Sequence, residues 1–392
     1  MLKIFFIWIA AISIATISGA TAMGAIAKAK SPELALSLSP QNGFAAQAMV
    51  SNVTMIAVIE KQGSFPDSID PAWSAMAVQA FQSEAVSPDA IAVIALSRTG
   101  YVRRKLMEKA FELSRRRKTV IGWLIADSGN RDELTNLLNY YDTLLRSSSS
   151  ANSVVMPAMA SALADHSAIA PLASLLSKKP PWAFRFWRQV SSTPQATRNA
   201  VQLRQRLYRP GELTDDYSDP SLIGALVRGE QYREANELHS LLSNGSSSSS
   251  LIKNGSFSYE PKYPPLDWQL FSTGEYGAVA TDGSLQISAI ANSGGLFARQ
   301  LVRFPSAVLQ IDTKFASEIP EDANLELRIS CAETIAIAPV PVRLPLTDQS
   351  EHKQISNESS GCSYFWFDIV GRASEKGDGF DTVLESVSLH PK

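Results

Sequence analysis

Leu251–Leu270, LIKNGSFSYEPKYPPLDWQL, divides the chain into two kinds of sequence. Upstream lies helix-forming sequence rich in Ala, Leu, Ser and Arg, behind an apolar N-terminal run. Downstream, short apolar–polar alternations are separated by Gly, Pro, Asn and Asp, the residues that bound strands. Asn244–Ser250, NGSSSSS, sits just before the dividing stretch and reads as a flexible linker. The expected organisation is a membrane anchor or signal peptide at 1–27, a helical-repeat domain at 28–243, the linker at 244–250 and a β-sandwich at 251–392.

The chain has 392 residues, 45% of them hydrophobic and 19% charged, which suits two folded domains and excludes a wholly disordered chain. The net charge of -2 hides an asymmetry: residues 1–250 carry 25 Lys+Arg against 20 Asp+Glu, and residues 251–392 carry 11 against 18. Neither half has the basic excess of a dedicated nucleic-acid binder, so no nucleic-acid partner is expected. Ile4–Ala27 holds no charged residue and is long enough to cross a bilayer as a helix. The same run, with Lys3 before it and Ala20-Thr21-Ala22 near its end, also has the layout of a cleavable signal. Either reading places the remainder across a membrane, in a bacterium the periplasm, with inner-membrane attachment if the run is an anchor. The two cysteines, Cys331 and Cys362, form no CxxC pair, and His166, His239, His352 and His390 are scattered, so neither metal nor cofactor is expected. In an oxidising compartment the cysteines are expected to pair, and closing that loop would contribute roughly 3 kcal/mol.

The helical half reads as stacked helix pairs. Pro71–Glu84 places Trp73, Ala77, Ala80 and Phe81 at helical spacing, and Ser87-Pro88 is a helix start. Arg104–Arg116 and Asp132–Arg146 carry further apolar stripes. Arg115–Lys118 is expected to be a solvated, dipole-complementing helix end. In Pro180–Trp187, PPWAFRFW, the aromatics suit a core helix, with Arg185 and Arg188 the groove candidates for an acidic partner. Leu222–Leu242, LIGALVRGEQYREANELHSLL, with Gly229 at its corner, resembles a tetratricopeptide-type helical hairpin, and Gly100 and Gly129 look like similar corners. Their spacing of 29 residues departs from the family's roughly 34. The resemblance implies an all-α solenoid that holds a protein partner.

Beyond the linker the period changes from 3.6 to 2. Ser284–Ala289, Phe297–Phe304, Ala307–Phe315, Leu325–Cys331, Tyr364–Val370 and Thr382–Leu389 all alternate. About eight strands with turn signals predict an antiparallel β-sandwich of jelly-roll type. In YFWFDIV, Phe365, Phe367 and Ile369 share the expected core face, leaving Tyr364, Trp366 and Asp368 outward. Lys376–Asp381, KGDGFD, is taken as a hairpin turn in preference to a calcium loop. Asn254-Gly255-Ser256-Phe257 with Leu266-Asp267-Trp268 resembles the opening of galactose-binding-like jelly rolls used as carbohydrate-binding modules. The whole arrangement resembles bacterial envelope proteins of exopolysaccharide systems, which implies a scaffold for polysaccharide assembly or export.

Sugar recognition needs aromatic faces beside amides and carboxylates. The candidates are Tyr364, Trp366, Trp268, Tyr276 and Asp368, with Asp267, Gln269 and Arg299 as polar neighbours. Trp268, flanked by Leu266 and Leu270 at period 2, fits a core position better than a binding one. No catalytic residue is assigned: the chain lacks G-x-S-x-G, H-E-x-x-H and a Gly-rich phosphate loop, and no carboxylate pair stands out. The expectation is a non-enzymatic envelope scaffold, whose alternatives are an interaction module without sugar affinity and a hydrolase or lyase.

Overall fold

The computed structural model describes residues 2–28, 30–60, 65–208, 218–243, 250–305, 308–317, 319–320, 323–335, 340–346, 351–356, 361–375 and 377–391. The chain forms two compact units, Met1–Val155 and Met156–Lys392.

The first unit is helical: α1 (Leu2–Ala27), α2 (Pro32–Leu38), α3 (Gly43–Glu60), α4 (Pro71–Ser83), α5 (Pro88–Leu96), α6 (Gly100–Leu113), α7 (Lys118–Asn130) and α8 (Leu134–Ser147), each packing on its successor. Residues 1–27 lie partly outside the described residues. Among the described residues no single helix is long and apolar enough to cross a membrane, the apolar part of α1 being Ala11–Ala27. Local chemistry sets the helix starts. Asp70 Oδ1 accepts from Ala72 N at 2.7 Å with Pro71 in the first turn. Ser87 precedes Pro88 as expected, but its hydroxyl donates to Gln47 Oε1 at 2.6 Å instead of capping α5. Small residues (Ala46, Ala77, Ala80, Ala90) let α3, α4 and α5 approach closely, and Leu96, Met107, Ala110, Val120 and Leu124 fill the next layer.

The basic run lies across the α6–α7 corner, just past the last turn of α6, and all four of its residues are exposed. Arg117 Nη1 stands 3.2 Å from Asp89 Oδ2, and the Asp89 side chain is buried. Burial pushes the Asp89 carboxyl up, while Arg117 and Gln47 pull it partly back. That cation is committed to an internal partner.

The second unit begins within α9 (Asn152–Ala162) and continues with α10 (Ile169–Leu176), α11 (Ala183–Val190), α12 (Thr197–Leu207), α13 (Ser218–Arg228) and α14 (Tyr232–Leu242). Trp182, Phe186 and Trp187 are core residues, whereas Phe184 is exposed beneath the Arg188 guanidinium. Arg204 and Asp219 form a buried two-point ion pair (2.8 and 2.9 Å) between α12 and α13. At the α13–α14 corner, Glu230, next to Gly229, takes the left-handed conformation (φ 56°).

Ten strands follow: β1 (Gln269–Leu270), β2 (Tyr276–Thr281), β3 (Ser284–Ala289), β4 (Gly294–Arg303), β5 (Val308–Phe315), β6 (Ala323–Cys331), β7 (Val342–Pro345), β8 (Glu351–Ser356), β9 (Tyr364–Ala373) and β10 (Phe380–Pro391). They form two five-stranded antiparallel sheets, a front sheet β1-β4-β9-β6-β7 and a back sheet β2-β3-β10-β5-β8. The shared core includes Trp268, Phe297, Leu327, Phe365, Phe367 and Ile369 from the front and Leu285, Ile287, Ile311, Leu384 and Leu389 from the back. The expected turn at KGDGFD, whose residue 376 lies outside the described residues, instead leads from the front sheet to the back one. There Gly379 adopts φ 100°, and a Cβ would sit 2.3 Å from the Ala289 oxygen. The serine tract at 244–249 lies outside the described residues. Ser250 Oγ accepts from Leu389 N at 3.0 Å, holding the chain to β10.

One stripe of α14 lies on the strands. Tyr232, Asn236 and His239 stand at i, i+4 and i+7, one helix face. The Tyr232 hydroxyl donates to the Ala332 carbonyl at 2.7 Å, and its ring packs 5.4 Å from that of Tyr364. His239 Nε2 is 3.2 Å from Asp267 Oδ1, both side chains buried. Burial alone would raise the Asp267 pKa, but His239 and the backbone N–H groups of Tyr263 and Lys262 outweigh it and hold the carboxyl below the usual value. A disulfide joins Cys331, the last residue of β6, to Cys362, two residues before β9, with Cα atoms 6.0 Å apart. It pins the segment whose Ala332 carbonyl receives Tyr232.

Reducing the disulfide is expected to lower unfolding stability by roughly 3–4 kcal/mol, the loop-entropy value for this separation, read in denaturant titrations with and without reductant. Asp267→Ala, which strands the buried His239 ring and two backbone donors, is expected to cost roughly 3 kcal/mol. Because the folded Asp267 pKa lies below the unfolded value of about 3.9, its contribution is present above that value and is lost as pH falls through the folded one. Melting temperatures measured between neutral and strongly acid pH should therefore converge for wild type and Asp267→Asn in acid. A pH-independent gap would count against this.

Candidate functional site

β9 occupies the middle of the front sheet, between β4 and β6. Alternation sends Phe365, Phe367 and Ile369 into the core and Tyr364, Trp366, Asp368 and Val370 to the outer face. Strand register then sets the rows of that face. Trp366 lies between Leu301 and Ser330, and Asp368 between Arg299 and Arg328, with Arg343 beyond and Gln269 at the other end. Val370 lies between Leu296 and Glu326.

The centre of the face is an ion cluster. Asp368 is fully buried and accepts from Arg299 Nε at 2.7 Å, Arg299 Nη2 at 2.9 Å and Arg328 Nη2 at 3.1 Å. Two guanidinium groups thus cover one carboxylate, with the two-point geometry that Arg alone provides. The same Arg299 guanidinium sits over the Trp366 ring, 4.6 Å from its centroid. Trp366 remains partly exposed, so its edge and the guanidinium form one amphipathic surface. A groove of about 580 Å³ starts one row away, at Arg328, with an apolar floor (Leu296, Val370, Pro345) and a polar rim completed by Asn324, Glu326 and Arg372; Trp366 does not line it.

The structure scatters the remaining candidates. Trp268 is 1% exposed, lies between Phe257 (5.5 Å) and Phe367 (6.1 Å), and donates its Nε1–H to the Asn254 carbonyl. It presents no face to a ligand, because it stands on the core side of the chain entering β1. Tyr364 does point outward, but Tyr232 covers its ring and Asn236 hydrogen-bonds it, and burial pushes its phenol up. Tyr276 belongs to the back sheet, its ring edge-on to Phe297 at 5.4 Å in a separate cleft of about 890 Å³. Its hydroxyl fills the place a Cβ at Gly295 would need. Asp368 is on the face but is saturated by its two arginines, so it positions them and offers no free oxygen. Asp267 serves the α14 contact instead.

Arg328, Arg343, Leu296 and Val370 were not among the sequence candidates. For Arg328 the signal is the outward phase of LELRISC, and for Val370 that of YFWFDIV; Leu296 and Arg343 carry no such local signal. Only the pairing of β6 with β9 brings Arg328 opposite Asp368. Among the described residues, Cys331, Glu333 and Cys362 are close enough together to hold a metal, but the two sulfurs are bonded to each other.

No family model matches the chain, and no curated protein matches it. Among solved structures, the chain is similar to TmCBM61 in complex with β-1,4-galactotriose, at 15% identity and a TM-score of 0.26, covering 37% of this chain and 100% of that one. It is likewise similar to a structure of CBM4, at 16% identity and a TM-score of 0.25, covering 36% of this chain and 99% of that one.

Proposed function

We propose that the outer face of the front sheet binds carbohydrate and that the protein is a non-enzymatic scaffold of the bacterial cell envelope, serving polysaccharide assembly or export. The observation that carries the sugar reading is Trp366. It is the candidate aromatic on this face that stays partly exposed beside a fixed guanidinium, and the neighbouring row contributes Arg328 to a groove with an apolar floor and a polar rim. A pyranose offers the same mixture, apolar C–H faces ringed by hydroxyls. The non-enzymatic reading is supported by the state of the acids on the front-sheet strands. Asp368 is held by two arginines and Glu326 faces Arg343 at 3.6 Å, so neither supplies the free pair of carboxylates that glycoside hydrolysis needs. The helices of residues 28–243, which pack on their successors from α2 to α8 and again from α12 to α14, are read as a degenerate tetratricopeptide-like solenoid that would hold an envelope protein partner. Envelope attachment is supported by α1, where Ile12, Ile14, Ile17, Met23 and Ile26 are all exposed on an apolar helix, a surface that water does not favour.

Full-length protein in a sugar-free detergent is expected to be retarded in affinity gels containing polysaccharide. Trp366→Ala should weaken that retardation about tenfold at unchanged melting temperature, the loss of one well-placed aromatic anchor. Retardation that survives Trp366→Ala would move the site elsewhere. In fractionated bacterial cells the chain should partition with the membranes, and deleting residues 1–27 should release it. A chain found in the soluble cytoplasm would refute the assigned address.

A further inference from the structure

Arginine is unevenly placed in the strand-forming half. Residues 251–392 contain five arginines, Arg299, Arg303, Arg328, Arg343 and Arg372, and all five belong to front-sheet strands. Those strands carry no lysine and two acids, Glu326 and Asp368, a balance of five against two. The back-sheet strands carry Lys314 and Lys353 against Asp312, Glu351, Asp381 and Glu385, two against four. Charge is therefore sorted between the two sheets, and the positive one opposes the acidic balance of the segment, 11 basic against 18 acidic residues.

Internal salt bridging accounts for part of this and no more. Arg299 and Arg328 share Asp368, while Arg372 donates to the Asn292 carbonyl and side-chain oxygens at 3.0 and 2.9 Å. Arg343 is 66% exposed and its approach to Glu326 is long, at 3.6 Å. Arg303 is exposed at the end of β4. Register aligns Arg299, Asp368, Arg328 and Arg343 across four neighbouring strands, a row perpendicular to the chain direction with about 4.8 Å per strand. The row borders the groove and Trp366. A ligand lying there would meet an indole edge, an apolar floor and the exposed Arg343 guanidinium, a planar fork that matches a carboxylate in two-point fashion, beside two arginines whose forks Asp368 partly occupies.

We infer that the ligand of this face is an anionic glycan, a polymer whose sugars bear carboxylate groups. This rests on the carbohydrate reading above and adds the charge of the polymer. A dense polyanion such as nucleic acid would be repelled by the acidic balance of the rest of the segment. An acid-bearing sugar chain carries sparser charge and presents the apolar ring faces that the groove floor accommodates.

The test uses the full-length protein in sugar-free detergent, titrated calorimetrically with polygalacturonate, neutral galactan and polyglutamate. The variant is Arg303→Gln/Arg343→Gln, which leaves the arginines on Asp368 in place. The expected result is binding of polygalacturonate in preference to the other two polymers. The double substitution should weaken that binding about tenfold, and added salt should weaken it further. Equal binding of galactan and polygalacturonate, unchanged in the variant, would overturn the charge inference while the carbohydrate reading stands. Binding of neither polysaccharide would overturn both. Polyglutamate binding as tight as polygalacturonate binding, with the same sensitivity to the variant, would show an acidic-protein site and overturn the glycan assignment.

Discussion

A fully buried carboxylate on the outside of a sheet is the constraint around which the front face is arranged. Burying Asp368 costs several kcal/mol of hydration unless its oxygens are filled, and three N–H groups from Arg299 and Arg328 fill them. Such a cluster is seldom a net gain over well-packed apolar side chains, so its effect is better sought in geometry than in stability. It removes rotamer freedom from two long cationic side chains and fixes one of them over Trp366 at 4.6 Å. Arg299 and Trp366 are thereby positioned before any ligand arrives, which lowers the ordering cost of binding.

The second constraint is α14. Its Tyr232–Asn236–His239 stripe closes one end of the face, covering Tyr364 and leaving Trp366 open two residues further along the same strand. Outward residues on one strand are about 6.7 Å apart, and a helix with side chains is about 10–12 Å across. A single docked helix therefore covers one end of the ten-residue β9 without covering all of it. The disulfide at Cys331–Cys362 and the Ser363 amide bonded to Glu333 fix the strand ends against which the helix lies. For this reason the compact unit that contains the strands begins at Met156, inside the helical sequence.

Much of this was legible in sequence because periodicity is a local property. YFWFDIV alternates, so its inward trio and outward trio follow from the period alone, and PPWAFRFW gives its core helix in the same way. The cysteine pair followed from there being two cysteines, both in the strand-forming half, and from the oxidising compartment expected of the N-terminal run. Four short strands escaped notice: β1 and β7 have two and four residues, too few to show a period, and β2 (YGAVAT) and β8 (EHKQIS) do not alternate cleanly. The candidate site was half legible. Outward phase identified Trp366 and Asp368, but the partners of Asp368 depend on the register of three strands separated by tens of residues. Tyr232 and His239 read as part of a helix pair, because nothing local says that one face of a helix will meet a sheet formed later in the chain. Trp268 shows the converse, an aromatic whose motif suggests a ligand and whose flanking leucines place it in the core.

The choice between Trp366 and Tyr276 as the centre of a site turns on what surrounds each ring. Tyr276 packs edge-on against the core ring of Phe297, and its hydroxyl lies over Gly295, so the ring closes a corner of the sandwich and most of its area is already used. Among the described residues its cleft on the back sheet contains Glu275, Asp378 and Asp381 and no arginine or lysine. Trp366 stands outside that core, which Phe365 and Phe367 fill on its strand, and it stays partly exposed under the Arg299 guanidinium. Of the two rings, it is therefore Trp366, partly exposed and held beside a pre-oriented guanidinium, that the carbohydrate reading proposed above would use.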